Sequence, residues 1–211
     1  DYCLASMGNY LFKTDVLVNE IVRDASKADS DHDFGKSIVS AMVGEKRTYV
    51  YDFATNRHAG QEDKEFGYWR DVGTLDAYWE ASMDLVAVNP IFNLYNRNWP
   101  IRSTYQHLPP AKFVLLDEEQ KRRGYASDSL IAPGCIVSGG WVDQSILATS
   151  VHVHSWAEVH QSVIGEGCDI GRHAKLKRTI LDKFVRIDPH VQIGFDLEKD
   201  KARGLTVTES G

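Results

Sequence analysis

Cysteine is scarce in this chain. Cys3, Cys135 and Cys168 are odd in number and lack metal-ligand spacing, which excludes a disulfide-stapled scaffold and fits a reduced, cytoplasmic protein with packing cysteines. No run of about 18 apolar residues occurs and no charged-then-apolar leader precedes the fold, so neither a membrane span nor a secretory signal is expected. Positive charge is in deficit, with a formal net charge of −6. That argues against a broad nucleic-acid surface, while local basic patches can still hold phosphate. Glycine is not gathered into a phosphate loop, and no other nucleotide fingerprint is present. What remains is an ordinary globular composition, 43% hydrophobic over 211 residues, enough for one large or two modest domains.

The C-terminal part is built on a repeat. Four stretches of 17 residues, 128–144, 145–161, 162–178 and 179–195, align with apolar or small residues in the same columns. One column holds Leu130, Leu147, Ile164 and Leu181; a second Ile136, Val153, Ile170 and Ile187; a third Val142, Val159, Leu176 and Ile193. Between them lie Gly134, Val151, Cys168 and Val185, then Gly140, Ala157, Ala174 and Val191. Aliphatics at steps of six, six and five give the hexapeptide rhythm of a parallel β-helix, each coil three short strands around a triangular prism. One coil cannot bury its own aliphatic row, so coils must stack at about 4.8 Å and turn columns into ladders. Gly165 and Gly171 follow inward aliphatics at turns where a positive φ is expected.

Upstream the pattern is α/β. Residues 4–12 alternate as a strand, and Thr14 offers an N-cap to a helix with Leu17, Val18, Ile21, Val22 and Ala25 on one face. The acidic stretch 29–33 reads as a loop, 37–43 as a short helix and 48–53 as a strand. Thr74 caps a helix to about Val88 with Leu75, Tyr78, Trp79, Leu85 and Val86 on its buried side. Two or three strands would leave an unpaired sheet edge, so residues 1–95 read as part of a larger domain. Residues 96–127, with Pro100, Pro109 and Pro110, read as a linker, and 128–211 as the β-helix and tail.

The strings Ala5-Ser6-Met7-Gly8-Asn9-Tyr10, His32-Asp33-Phe34-Gly35-Lys36, Tyr68-Trp69-Arg70-Asp71-Val72-Gly73-Thr74 and Asn98-Trp99-Pro100-Ile101-Arg102, followed by Leu108-Pro109-Pro110-Ala111-Lys112-Phe113, are in an order and spacing that closely resemble the bacterial glucose-1-phosphate adenylyltransferases. The resemblance covers essentially the whole chain but only the second half of that family's usual length. It implies the end of a Rossmann-like nucleotidyltransferase domain followed by a left-handed parallel β-helix. The glycine-rich loop, one catalytic aspartate and the sugar-phosphate lysine would lie ahead of Asp1, and the chain alone is expected to be inactive.

The implied reaction joins ATP and glucose 1-phosphate into ADP-glucose and pyrophosphate for glycogen synthesis. By resemblance Asp71 is a catalytic carboxylate that holds Mg²⁺; read without it, Asp71 is a cap for the helix that follows. The family pattern carries Ser6, Tyr10, Asp33, Phe34 and Trp69 into the sugar-phosphate pocket, where carboxylate and hydroxyl meet sugar hydroxyls and aromatic rings pack against the sugar. Taken singly, Asp33 is also a solvated loop acid, Phe34 a core anchor and Trp69 packing. The family further implies phosphorylated allosteric effectors and a homo-oligomer, typically a tetramer. Arg172, Lys175, Lys177 and Arg178 concentrate charge that would hold an effector phosphate or form a solvated face. Two alternatives stand beside this reading. One is a non-catalytic regulatory subunit of the same fold. The other is a hexapeptide acyltransferase using one of His152, His154, His160, His173 or His190, although none of these lies in a long loop interrupting a coil.

Overall fold

A computed structural model describes residues 5–104, 106–114, 116–117, 119 and 122–210. Cys3 and Leu4 lie outside them. The chain divides into two compact units at Phe53/Ala54, so residues 54–95 group with the β-helix.

In the second unit three parallel sheets form the β-helix. One runs β1 (Lys112–Val114), β6 (Ile136–Ser138), β9 (His152–Val153), β12 (Asp169–Ile170) and β15 (Arg186–Ile187). Another runs β4 (Tyr125–Ser127), β7 (Trp141–Asp143), β10 (Glu158–His160), β13 (Lys175–Lys177) and β16 (Gln192–Ile193). The third runs β5 (Leu130–Ile131), β8 (Ile146–Leu147), β11 (Val163–Ile164) and β14 (Ile180–Leu181). Two of these strands, β1 and β4, fall in the stretch 96–127 read from sequence as a linker. A short antiparallel pair, β2 (Leu116–Asp117) and β3 (Arg122–Arg123), lies between them.

Inward side chains stack as the repeat requires: Val153 on Ile170, Val159 on Leu176, Leu147 on Ile164, with Val151, Cys168, Ala157 and Ala174 at the corners, all essentially sealed from solvent. The thiols are packing groups, since Cys135 and Cys168 donate to the carbonyls of Ala148 and Asp182 and burial raises both pKa values.

The first coil differs from the columns read in sequence. Leu130 pairs with Ile146 and Ile136 with His152, a step of 16 residues where later coils step 17. Ile131, Cys135 and Val137 therefore face inward instead of Leu130, Gly134 and Ile136, and Ile136 is 38% exposed. The missing residue falls in the corner between Val137 and Gly140. Gly139 closes it at φ 71°, where an added Cβ would lie 2.7 Å from Arg122 Cγ. Gly165 and Gly171, by contrast, are absent from the positive-φ positions; their constraint is space, because a Cβ on either would come within 2.8 Å of backbone in the next coil. Positive φ instead recurs on non-glycine corner residues: Gln144, Gln161 and Arg178 at one edge, Trp156, His173 and His190 at another.

A polar ladder runs up the same corner as Gln144, Gln161 and Arg178. The hydroxyls of Ser145, Ser162 and Thr179 each donate to the carbonyl two residues earlier, and those of Ser145 and Ser162 accept the N–H of the equivalent residue one coil on. These buried hydroxyls and amides are thereby satisfied without water.

Helix α3 (Leu75–Val86) starts at Thr74, whose hydroxyl accepts from the Ala77 N–H. Of its expected buried face, Val86 is covered and Trp79 is half-buried, whereas Leu75 and Tyr78 remain over 40% exposed. The Trp79 indole donates to the Gln161 carbonyl at 2.7 Å, and the Arg178 guanidinium lies over the ring at 4.8 Å, which ties α3 to a coil corner. The C-terminal tail returns to this helix, with Thr208 and Ser210 donating to Asp76. Helix α4 (Leu197–Ala202) is capped by Asp196, and its buried Asp200 binds both Arg203 and the Gly194 N–H.

In the first unit α1 (Thr14–Ala25) forms as expected, although Lys13 rather than Thr14 occupies the cap position. Its expected inward face is inverted. Val18, Ile21 and Val22 are 53%, 40% and 65% exposed, and the buried residues are Glu20 and Asp24. Polar partners from α1 itself, the loop after it and Lys46 explain this. Glu20 pairs with Lys46 and Arg23, while Asp24 accepts from Ser30 and binds His32, with hydrogen bonds from His32 and then Ser30 lowering its pKa. A turn of π-helix (Phe34–Val39) runs into α2 (Ser40–Met42) where one helix was expected. The strands expected at 4–12 and 48–53 are absent among the described residues.

Candidate functional site

In the first unit four of the candidate residues share one surface. The Ser6 and Tyr10 hydroxyls lie 2.6 Å apart, and Ser6 Oγ also accepts the Gly8 N–H. The Tyr10 and Phe34 rings are stacked at 6.4 Å, with Phe12 against Phe34 at 6.1 Å. Asp33 starts the π-turn, its Oδ1 accepting the Lys36 N–H at 2.7 Å. Between them sits Gly35, where a Cβ would lie 3.1 Å from the Tyr10 hydroxyl and 3.4 Å from Asp33 Oδ1. The absent side chain leaves the space between hydroxyl and carboxylate open, beside a Phe34 ring that is 40% exposed. The loop that presents Asp33 is anchored by Asp24, which sequence reasoning missed because its partners Ser30 and His32 come from the loop itself.

Trp69 and Asp71 belong to the second unit. Trp69 is 44% exposed, and Tyr68 beside it stacks on Phe92 at 5.3 Å. Asp71 is exposed; its Oδ1 accepts the Gly73 N–H at 3.0 Å, and Oδ2 carries no hydrogen bond among the described residues. The cap of α3 is Thr74, so Asp71 is not that cap.

Among the described residues, two cavities of the second unit stand out, and Asp71 lines neither. A groove of about 1270 Å³ runs along α3, the β8–β11–β14 face and the C-terminal tail. A smaller one of about 440 Å³ is walled by His58, Glu65, Asn93 and the Asn98–Arg102 string, with His58 and Trp99 rings 4.6 Å apart. The four basic candidates do not converge. Lys177 and Arg178 line the groove, Lys175 is paired with Glu158 at 2.8 Å, and Arg172 stands at another corner near the Trp156 ring, 5.9 Å away.

Comparison with known proteins places the chain. Residues 2–87 match the nucleotidyl transferase family and residues 109–211 the GlmU-like C-terminal hexapeptide family, so the class is a nucleotidyl transferase segment followed by a hexapeptide β-helix. The chain is 56% identical over 99% of its length to a glucose-1-phosphate adenylyltransferase of Anaeromyxobacter sp. (strain Fw109-5), covering 50% of that protein. It is 47% identical over its whole length to one of Rhodopirellula baltica and 48% identical over 98% to one of Frankia casuarinae, covering 46% and 50% of them. The chain is thus similar along nearly its whole length to glucose-1-phosphate adenylyltransferases, and it spans about half the length of the curated relatives it matches.

Proposed function

We propose that the protein carrying this chain transfers the adenylyl group of ATP to glucose 1-phosphate, releasing pyrophosphate and ADP-glucose for glycogen synthesis. The observation that carries the reading is sequence identity of 46–57% along nearly the whole chain to proteins of that name. Residues 1–95 supply the sugar-phosphate side of the transferase domain in this reading.

The side chains suit that task. Asp33 accepts from sugar hydroxyls, the paired Ser6 and Tyr10 hydroxyls donate and accept, and the Phe34 and Trp69 rings offer flat apolar walls. Asp71 has one carboxylate oxygen held by the Gly73 N–H and the other open to solvent, which fits Mg²⁺, a cation that takes one or two protein carboxylates and keeps waters and substrate phosphates for the rest. When bound, Mg²⁺ would offset the repulsion between the two phosphate-bearing substrates. The Gly73 N–H fixes the orientation of Asp71 toward that role.

Lys177 and Arg178 in the groove supply a phosphate-binding pair for a phosphorylated effector. Assembly as a homo-oligomer, typically a tetramer in this family, and a cytoplasmic location complete the reading; no helix among the described residues is long and apolar enough to cross a membrane.

The test is to incubate the intact protein with ATP, glucose 1-phosphate and Mg²⁺. ADP-glucose and pyrophosphate should appear in equal amounts, and the 211-residue chain alone should form neither. Absence of ADP-glucose from the intact protein would refute the proposal.

A further inference from the structure

On the outer face of the β1–β6–β9–β12–β15 sheet, two histidines and an aspartate converge from adjacent coils. Val153 points into the core, so its neighbours His152 and His154 both project outward from β9 and the turn after it, as the two-residue period of a strand requires. One coil on, Asp169 is the register partner of His152. The imidazole centroids lie 3.9 Å apart, and His154 Nε2 is 2.7 Å from Asp169 Oδ1. One ligand atom from each residue can be chosen so that all three lie within 4.8 Å of one another. All three side chains are half-buried on the sheet, not free in solvent.

We propose that His152, His154 and Asp169 form a binding site for a zinc-like divalent transition-metal ion that clasps two coils of the β-helix together. Two imidazoles and one carboxylate form a borderline donor set that prefers Zn²⁺, Co²⁺ or Ni²⁺ to Mg²⁺ or Ca²⁺. Three protein ligands leave a fourth tetrahedral position for water. The short His154–Asp169 contact is what such a pair makes when a proton occupies the place of the metal, and binding would displace it. In the same outward row, Arg186 follows Asp169, and Lys112 stands beyond Ile136 on the other side; they are the cations that flank the ion. The site is separate from Asp71 and from both cavities, whose linings contain none of its residues. It is therefore independent of the proposed transferase activity.

The experiment is a calorimetric titration of the chelator-treated intact protein with Zn²⁺, repeated on His152→Ala, His154→Gln and Asp169→Asn, with far-UV circular dichroism to establish that each is folded. One Zn²⁺ per chain should bind at this site, and each substitution should weaken it by at least about 10- to 100-fold, the range seen even for losses one shell further out. His173→Ala, in the ring stack with Trp156 and His190, should leave binding unchanged. Zn²⁺ should raise the thermal unfolding midpoint of the parent protein and not of His154→Gln. Co²⁺ should give a visible absorption band that the same three substitutions abolish. The proposal is overturned if Zn²⁺ shows no saturable binding, if folded variants bind it as the parent does, or if binding depends instead on Cys135 or Cys168.

Discussion

In the β-helix Val153, Ile164, Ile170 and Leu176 are sealed from solvent by the coils above and below, whereas in the first unit Leu11, Val18, Val22 and the Tyr49–Tyr51 stretch lie more than half exposed. Both regions carry apolar patterns of the kind that specify buried faces. The difference lies in where the cover comes from. A repeat is closed by its own neighbours, so any interior coil contains everything its side chains need. In the first unit the groups that become buried, Glu20 and Asp24, are held by Lys46, Ser30 and His32, and the apolar stripe of α1 stays largely uncovered among the described residues. A hydrophobic pattern therefore specifies a structure only together with the surface it is complementary to.

Truncation on the two sides should break or sharpen this contrast. Ile164→Ala or Leu176→Ala should remove about 2–5 kcal/mol of stability by opening a void in a ladder that cannot collapse, read from denaturant unfolding of the second unit. An effect as small as that of a surface change would mean that the coils are not tightly stacked. Next in size, Trp79→Phe should cost about 1 kcal/mol, the net value of the indole hydrogen bond to the Gln161 carbonyl. Its companion signature is faster amide exchange in α3, with little change in the coils.

A smaller effect is expected from pH. Burial raises the Glu65 carboxyl, but the N–H groups of Glu62 and Asn93 more than offset this and hold it below its ordinary value of 4.5. Because the folded pKa is depressed, the stability Glu65 adds is present above pH 4.5 and fades as pH falls through the folded value. Glu65→Gln should therefore flatten the acid side of the stability profile, and an unchanged slope there would contradict the assignment. Smallest of all, Val22→Ala on the open face of α1 should stay within about 0.5 kcal/mol of the parent; a loss near that of Ile164→Ala would show that this face is covered in solution.

The same contrast explains what could be read from residues alone. The columns of the later coils were legible because stacking demands the same side chain at the same height in each. The first coil slipped by one because Leu130-Ile131 and Ile136-Val137 are adjacent apolar pairs, and either member satisfies the pattern; only the shortened Gly139-Gly140 corner decides. The hydroxyl ladder stood in the first column as Ser145, Ser162 and Thr179, a signal present in the repeat but visible only to a reading that asks how the corner amides are satisfied. The strands at 4–12 and 48–53 failed because alternation describes a face and not a partner. For the site, no pattern joined Ser6 to Asp33. Family resemblance named the residues, and Gly35 explains in space how the Tyr10 hydroxyl and the Asp33 carboxylate come to face the same point. The basic cluster spreads over a coil: Arg172 stands at the corner before β13 and Arg178 at the corner after it, while Lys175 and Lys177 share the outer face of β13 and Lys175 is taken up by Glu158.

The account stands most directly on turnover by the intact protein carrying Asp71→Asn. With ATP, glucose 1-phosphate and Mg²⁺, kcat for ADP-glucose formation should fall by about 100-fold or more, the scale of losing one charge-stabilising group in a transition state, while thermal unfolding is unchanged because Asp71 is exposed and caps no helix. A folded variant with near-normal kcat would contradict the role given to this carboxylate and the proposal built on it.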